Sequence, residues 1–484
     1  MENQTQPEVI PKEKPVKKGD IVTLTIDSIG FEGKSIARID DFVVFLPMAA
    51  PGDEVEVEIT KVKSSYAEGW INKLTIPGPS RINPVCKHFG ECGGCKWQHI
   101  TYETQLKAKH QQVVDALVRV GGFQNPNVLP IIGVKNPFYY RNKMDFTFSD
   151  SRWLTKAEIK NGVSQPEDFA LGLHVPGRYD KLVDLEACHI QPETGNKILN
   201  LMKSFCLKNG ILPYSSKKHT GFLRSLILRF GINTGDLMVI LVTTHENEEF
   251  NQNLAKLFKS DIPEIKSFIN ILHSGKGPVP KGEGEITVFG SDYLTEKLLG
   301  IEFIVHPNSF FQTNSLQAEI LFQTAFEAAE LKSKDILYDL FCGPGTIGLM
   351  AAGKVAKVAG IELIPEAVEN ARENARINGI QNASFFQGDI GKSLDLLKSW
   401  ENEIGKPDII VVDPPRAGLT EDTCRFLPQF GAERILYISC NPMTQARDLK
   451  ILASFDYEIA YIRPVDMFPH TYHIENIVVL KKRS

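Results

Sequence analysis

Two residues near the end of the chain have the types and surroundings to do chemistry together. In Tyr437-Ile438-Ser439-Cys440-Asn441-Pro442 a cysteine stands where the apolar run Ile435 to Ile438 stops. Asn441 and Pro442 then supply a helix N-cap and a first helical residue, and the pattern predicts a helix over Thr444 to Leu452. Open α/β sheets place their chemistry at this strand-to-helix edge, and a helix N-terminus favours a thiolate. The partner is Glu475, which closes Asp466-Met467-Phe468-Pro469-His470-Thr471-Tyr472-His473-Ile474-Glu475 just before the apolar run Ile477 to Leu480. A thiolate and a carboxylate make a nucleophile and a base. His470 and His473 read as hydrogen-bonding residues of a loop.

A third segment, Asp339-Leu340-Phe341-Cys342-Gly343-Pro344-Gly345-Thr346-Ile347-Gly348, sits between a strand and a helix. Gly343, Gly345 and Gly348 spell G-x-G-x-x-G, and Glu362 ends the next strand at the spacing of an acid that holds ribose hydroxyls. That geometry serves NAD and S-adenosylmethionine alike. Asp413-Pro414-Pro415-Arg416, after the strand Ile409 to Val412, resembles the fourth motif of methyltransferases and puts methyl transfer ahead of hydride transfer. If the methyl acceptor is C5 of a uracil, both chemical residues have work. Thiolate addition at C6 makes C5 nucleophilic, and the base later removes the C5 proton. Methylation of an exocyclic nitrogen would need neither Cys440 nor Glu475.

A separate constellation is C-x5-C-G-G-C, with Cys86, Cys92 and Cys95, and Cys188 is the best distant fourth member. Four soft ligands suit zinc or an iron–sulfur cluster, and spacing does not choose between them. Cys206 and Cys424 read as core residues.

The elements that position these groups follow from composition and pattern. A chain of 484 residues, 42 % hydrophobic and 23 % charged, is an ordinary globular protein of about three domains. A net charge of −5 places any polyanion contacts in local patches. The polar opening stretch and the lack of a bilayer-length apolar run predict a cytoplasmic protein with no membrane association. Nothing points to an obligate protein partner. Residues 1–16 read as a disordered tail. Residues 17–75 carry five short strand-like runs and read as an OB-like β-barrel that resembles a TRAM domain, an RNA-binding module; Lys61, Lys63 and Lys73 are candidate phosphate contacts. Residues 76–305 read as a central α+β domain holding the cysteines. Its amphipathic helix at 98–120 is placed against the catalytic domain, and Tyr139-Tyr140-Arg141-Asn142-Lys143 is a candidate RNA contact. Residues 306–484 alternate strand and helix as a doubly wound, Rossmann-like domain.

Taken together, CGGC-x-x-QH with Cys86 and Cys188, FFQTN at 310–314, DLFCGPGT at 339–346, GIE at 360–362, DPPRAGL at 413–419, SCNP at 439–442 and DMFPHTYHIE at 466–475 resemble the RNA (uracil-5-)-methyltransferases. The likeness is to the 23S ribosomal RNA branch, with a TRAM domain and an iron–sulfur cluster. The resemblance implies Cys440 as nucleophile, Glu475 as base, S-adenosyl-L-methionine contacts from Gln312, Phe341, Glu362 and Asp413, and a [4Fe–4S] cluster on Cys86, Cys92, Cys95 and Cys188. It implies 23S ribosomal RNA as substrate, because the transfer-RNA branch is taken to lack the barrel and the cysteines. The alternatives are transfer-RNA uracil-C5 methylation and an RNA-binding iron–sulfur protein without methylation.

Overall fold

The computed structural model describes residues 14–163, 169–178, 180–277, 283–390 and 394–483. Most of the tail expected at 1–16 lies outside these residues. Two compact units emerge: Met1–Pro84 with Lys96–Ala108, and Val85–Cys95 with Lys109–Ser484.

The first unit is built on a six-stranded sheet, ordered Ile21–Thr25, Glu54–Val62, Tyr66–Ile76, Phe42–Leu46, Ser35–Ile39 and Ser28–Ile29. Alternating residues along these strands (Leu24, Val44, Leu46, Val55, Val57, Ile59) turn inward, as a period of two requires, and form its core. Val16 is buried in the same core, so the ordered chain begins before residue 17.

The second unit holds two seven-stranded sheets. One runs Gly284–Phe289, Ser267–Leu272, Leu237–Thr243, Leu223–Phe230, Lys143–Ser149, Ala170–His174 and Leu182–Asp184. Helices Glu193–Lys208 and Glu248–Asp261 pack on one face through Ile198, Met202, Phe250 and Leu254. From the other face Met238, Ile240, Val242, Ile269 and Ile271 enter the core that also contains Leu337, Val411 and Leu436. The sheet of the middle region and the C-terminal sheet therefore share a core.

The C-terminal sheet is ordered Ala383–Gln387, Lys357–Glu362, Ile336–Leu340, Ile409–Val412, Arg434–Ser439, Glu475–Lys482 and Tyr457–Val465. Its first five strands are parallel, Glu475–Lys482 runs antiparallel to them, and Tyr457–Val465 runs antiparallel to Glu475–Lys482. Runs such as Ile409–Val412 and Arg434–Ser439 are buried throughout because helices cover both faces. The chain order turns back between Ile336–Leu340 and Ile409–Val412, the switch point at which such sheets open a crevice.

Candidate active site

Cys440 follows directly on the buried strand Arg434–Ser439, and the helix Pro442–Leu452 begins two residues later. Asn441 caps that helix, accepting from Met443 N at 3.1 Å, and Pro442 occupies its first turn. In the antiparallel ladder Ser439 pairs with Asn476 and Ile438 with Ile477. Cys440 and Glu475 flank the Ser439–Asn476 rung, and the Glu475 charge acts on the Cys440 thiol. An amide network holds this junction: Gln445 Nε2 donates to the carbonyls of Tyr437 and Asn476, both at 3.1 Å, and Asn476 Nδ2 donates to Gln445 Oε1 at 2.7 Å.

One cavity of about 1970 Å3 is lined by Cys440 and Glu475 together with Gln312, Phe341, Glu362 and Asp413. All six residues picked out for nucleophile, base and cofactor contact therefore face the same space. Glu362 is held by the glycine loop, its carboxylate accepting from Gly343 N at 3.1 Å and Ile364 N at 3.0 Å. Gly345 has φ 80, and a Cβ there would lie 3.0–3.1 Å from Phe385, Ala371 and Leu349. A glycine is required by both conformation and space. Gln312 and Thr313 are fixed through their carbonyls, which accept from Asn142 Nδ2 and Asn142 N at 2.9 Å each. Asn314 caps the helix Ser315–Ala328 and donates to Met467 O at 3.0 Å, joining this segment to the loop before Glu475.

The electrostatics follow from burial. Glu475 is raised well above the carboxylate range by burial and by the nearby Asp413, with Arg416 opposing. Asp413 itself is raised to about 7 by burial. Burial, and then the nearby Glu475, lift the Cys440 thiol to about 11 against the opposing charge and hydrogen bond of Arg416. Arg416 also donates to His473 Nδ1 at 2.5 Å, so that nitrogen carries no proton, and burial together with Arg416 lowers His473 to about 4. The imidazole is neutral.

Three groups escaped the sequence reading. Lys109, in the helix read only as packing, is buried against Asp466. Asp339, ahead of the glycine loop, is raised to about 7 by burial; its Oδ2 accepts from Gly348 N at 2.9 Å and its Oδ1 has no partner among the described residues. Arg416 was visible only as a letter of the DPPR motif. Of the YYRNK candidate, Tyr140 and Asn142 are buried, and only Arg141 lines the cavity.

The four cysteines lie in the second unit on two stapled loops. Gly93 N donates to His174 O at 3.0 Å, where a Cβ would stand 2.7 Å from that oxygen. Glu186 N donates to His88 Nε2 at 3.2 Å, Lys87 pairs with Glu186, and Cys188 N donates to Asn196 Oδ1 at 2.8 Å. Burial, with a smaller part from the neighbouring Cys92 and Cys86, raises Cys188 to about 11. These half-buried soft donors fit a thiophilic metal. Among the described residues, however, no group of three or more His, Cys, Asp or Glu side chains is arranged around a single ion position.

Against known families, residues 234–483 match the model for tRNA (Uracil-5-)-methyltransferase and residues 15–71 the model for the TRAM domain. The chain belongs to the tRNA (uracil-5-)-methyltransferase family. Such an enzyme is an S-adenosylmethionine-dependent RNA methyltransferase. Among its curated relatives, an uncharacterized RNA methyltransferase of Chlorobaculum tepidum is 39 % identical, covering 96 % of this chain and 97 % of the relative. One of Bacteroides thetaiotaomicron is 41 % identical, covering 93 % and 99 %. Among solved structures, the tRNA (uracil-54, C5)-methyltransferase of Pyrococcus abyssi in complex with S-adenosyl-L-homocysteine is 29 % identical with a TM-score of 0.73, covering 95 % of this chain and all of the other. Among the described residues of this family member, no helix is long and apolar enough to cross a membrane.

Proposed function

We propose that the protein methylates C5 of a uridine in RNA through a covalent adduct on Cys440, with Glu475 as the base. The observation that carries this reading is that Cys440 and Glu475, flanking the Ser439–Asn476 rung, line one cavity with Gln312, Glu362 and Asp413. The target uridine leaves its stack to enter the cavity. Cys440 gives its proton to water as the sulfur bonds to C6, and the ring electrons pass to C5 and O4. C5 then takes the methyl group of S-adenosylmethionine, whose sulfur leaves as the thioether. Glu475 removes the C5 proton, the C6–S bond breaks with its electron pair returning to sulfur, and the double bond re-forms. Gln312, Phe341, Glu362 and Asp413 hold the methyl donor, with Glu362 on the ribose side. Burial makes Glu475 a stronger base once ionised, the property that proton removal from carbon needs.

The substrate by resemblance is 23S ribosomal RNA, in the cytoplasm. A second reading, transfer RNA, is favoured by the Pyrococcus abyssi neighbour. The roughly 5 % of this chain that it leaves unmatched is shorter than the N-terminal barrel, so possession of a barrel no longer separates the two substrates. Mapping 5-methyluridine in both RNAs, from cells with and without the gene, decides between them. Loss of no 5-methyluridine from either RNA rejects both. Cys440→Ala must abolish methylation while RNA binding persists; retained methylation rejects the mechanism.

We also propose that Cys86, Cys92, Cys95 and Cys188 hold a [4Fe–4S] cluster, supported by the four soft donors on stapled loops. The cluster would join the two loops by soft ligation, and no step of methyl transfer is routed through it. Anaerobic protein should be brown with four iron atoms per chain. A colourless preparation containing zinc rejects iron, and Cys188→Ser should lower the metal content in either case.

A further inference from the structure

The strap Tyr139–Lys143 is tied to two segments that contribute residues to the cavity wall. Tyr139 N and Arg141 N donate to His189 O and Ile190 O at 2.9 and 2.7 Å. Tyr140 is buried and its hydroxyl donates to Pro469 O at 3.1 Å, on the loop that carries His473 and leads to Glu475. Asn142 is buried and grips Gln312 and Ser315 on the other side, donating to Ser315 Oγ at 2.8 Å. Arg141, between these two braces, is half-buried and lines the cavity.

Its guanidinium is oriented but not neutralised. Nε donates to Lys143 O at 2.9 Å, while the terminal nitrogens have neither hydrogen bond nor ion pair within the described residues. Arg141 and Arg416 both line the cavity and their charges both act on His473, so the two cations share the wall that holds His473. Glu475 feels Arg416 and Asp413 instead. A fixed, forked cation with two free edges and no carboxylate partner is built for an anionic oxygen. Two sources exist in this reaction: an RNA phosphate and the carboxylate of the methyl donor.

We infer that Arg141 binds a backbone phosphate of the RNA next to the extruded uridine, held in place by the Tyr140 and Asn142 braces. This rests on the RNA methylation proposed above. The backbone must turn sharply where one nucleotide leaves its stack, and a cation pre-set in the cavity wall fixes that turn.

The test is RNA binding in a Cys440→Ala background, where no chemistry follows, using unmodified transcripts of 23S ribosomal RNA fragments and of transfer RNA over a salt series. Arg141→Gln should weaken binding of the preferred RNA about tenfold, and lower the slope of log affinity against log salt by about 0.7, one phosphate on a single strand. Arg141→Lys should keep the slope and lose only about threefold, because charge survives and the fork does not. Calorimetry should show unchanged S-adenosylhomocysteine affinity in all variants. Arg141→Ser is a second truncation and must reproduce the Gln slope. Unchanged RNA affinity and slope overturn the inference, as does a loss of S-adenosylhomocysteine affinity with RNA binding intact, which would assign Arg141 to the donor carboxylate. Binding is read without methylation, so a wild-type enzyme that binds RNA through Arg141 yet never methylates uridine overturns the functional reading and leaves this one standing.

Discussion

Lys109 Nζ lies 2.6 Å from Asp466 Oδ1, and neither side chain reaches solvent. The ammonium also donates to Phe468 O at 3.0 Å, and Asp466 Oδ1 accepts from Phe468 N at 3.1 Å. The pair thereby fixes the start of the loop that ends in Glu475. Removing one partner strands a buried charge, so Lys109→Met should destabilise the protein by about 3–5 kcal/mol in urea melts. The double variant Lys109→Met, Asp466→Leu should recover much of that loss and still methylate more slowly. A double variant no more stable than Lys109→Met would reject the pair as the cause.

Glu475→Gln keeps the shape of the base and removes its basicity. RNA incubated with this variant and the methyl donor should remain attached to Cys440, giving a slower band on a denaturing gel that Cys440→Ala abolishes. Free RNA alone would count against Glu475 as the group that takes the C5 proton.

Asp339 sets a pH dependence. Its folded pKa, about 7, exceeds the ordinary 3.8, so burial favours the protonated form. Stability from this group is complete below pH 3.8 and is lost as pH rises through 7. Asp339→Asn, neutral at every pH, should therefore gain stability relative to wild type between pH 5 and pH 8. Urea midpoints at the two pH values check the sign. A difference that shrinks as pH rises contradicts it. Asp413, raised to about 7, acts in the same direction and stays in both proteins.

Gly345→Ala should raise the dissociation constant for S-adenosylhomocysteine at least tenfold and lower stability by about 1–2 kcal/mol. The left-handed backbone and the packed neighbours both oppose a methyl group. Calorimetry and thermal melting measure the two effects separately. Gly353, with open space around its missing Cβ, is the control, and Gly353→Ala should leave cofactor affinity unchanged.

Much of the site was legible because it is written locally. Strand runs, the Asn441 cap with Pro442, the glycine turn and the acid closing the next strand each have a signature within a few residues, and they place Cys440, Glu362 and Asp413 at one sheet edge. What escaped has no local signature. Lys109 and Asp466 are 357 residues apart, and Tyr140 and Pro469 are 329 apart. A lysine on an amphipathic helix reads as a solvated face until the fold brings an acid to it. The YYRNK segment was read as one surface, yet its burial alternates: Tyr140 and Asn142 are buried, and Arg141 between them lines the cavity. The helix expected over 98–120 spans Tyr102–Ala116 and ends in a wider turn at Leu117–Gly121, where Gly122 adopts φ 74.

The Gln445–Asn476 amide pair carries an implication for fidelity of assembly. Sliding the final strand by two positions would keep its alternating faces and nearly all of its apolar contacts, because Ile477, Val478, Val479 and Leu480 are interchangeable to a hydrophobic core. Such a mis-threaded molecule would be well folded by most criteria and chemically dead, with isoleucine facing the sulfur. A polar clasp at one rung, indifferent to oiliness and sensitive to identity, tells the correct alignment from its near-twin.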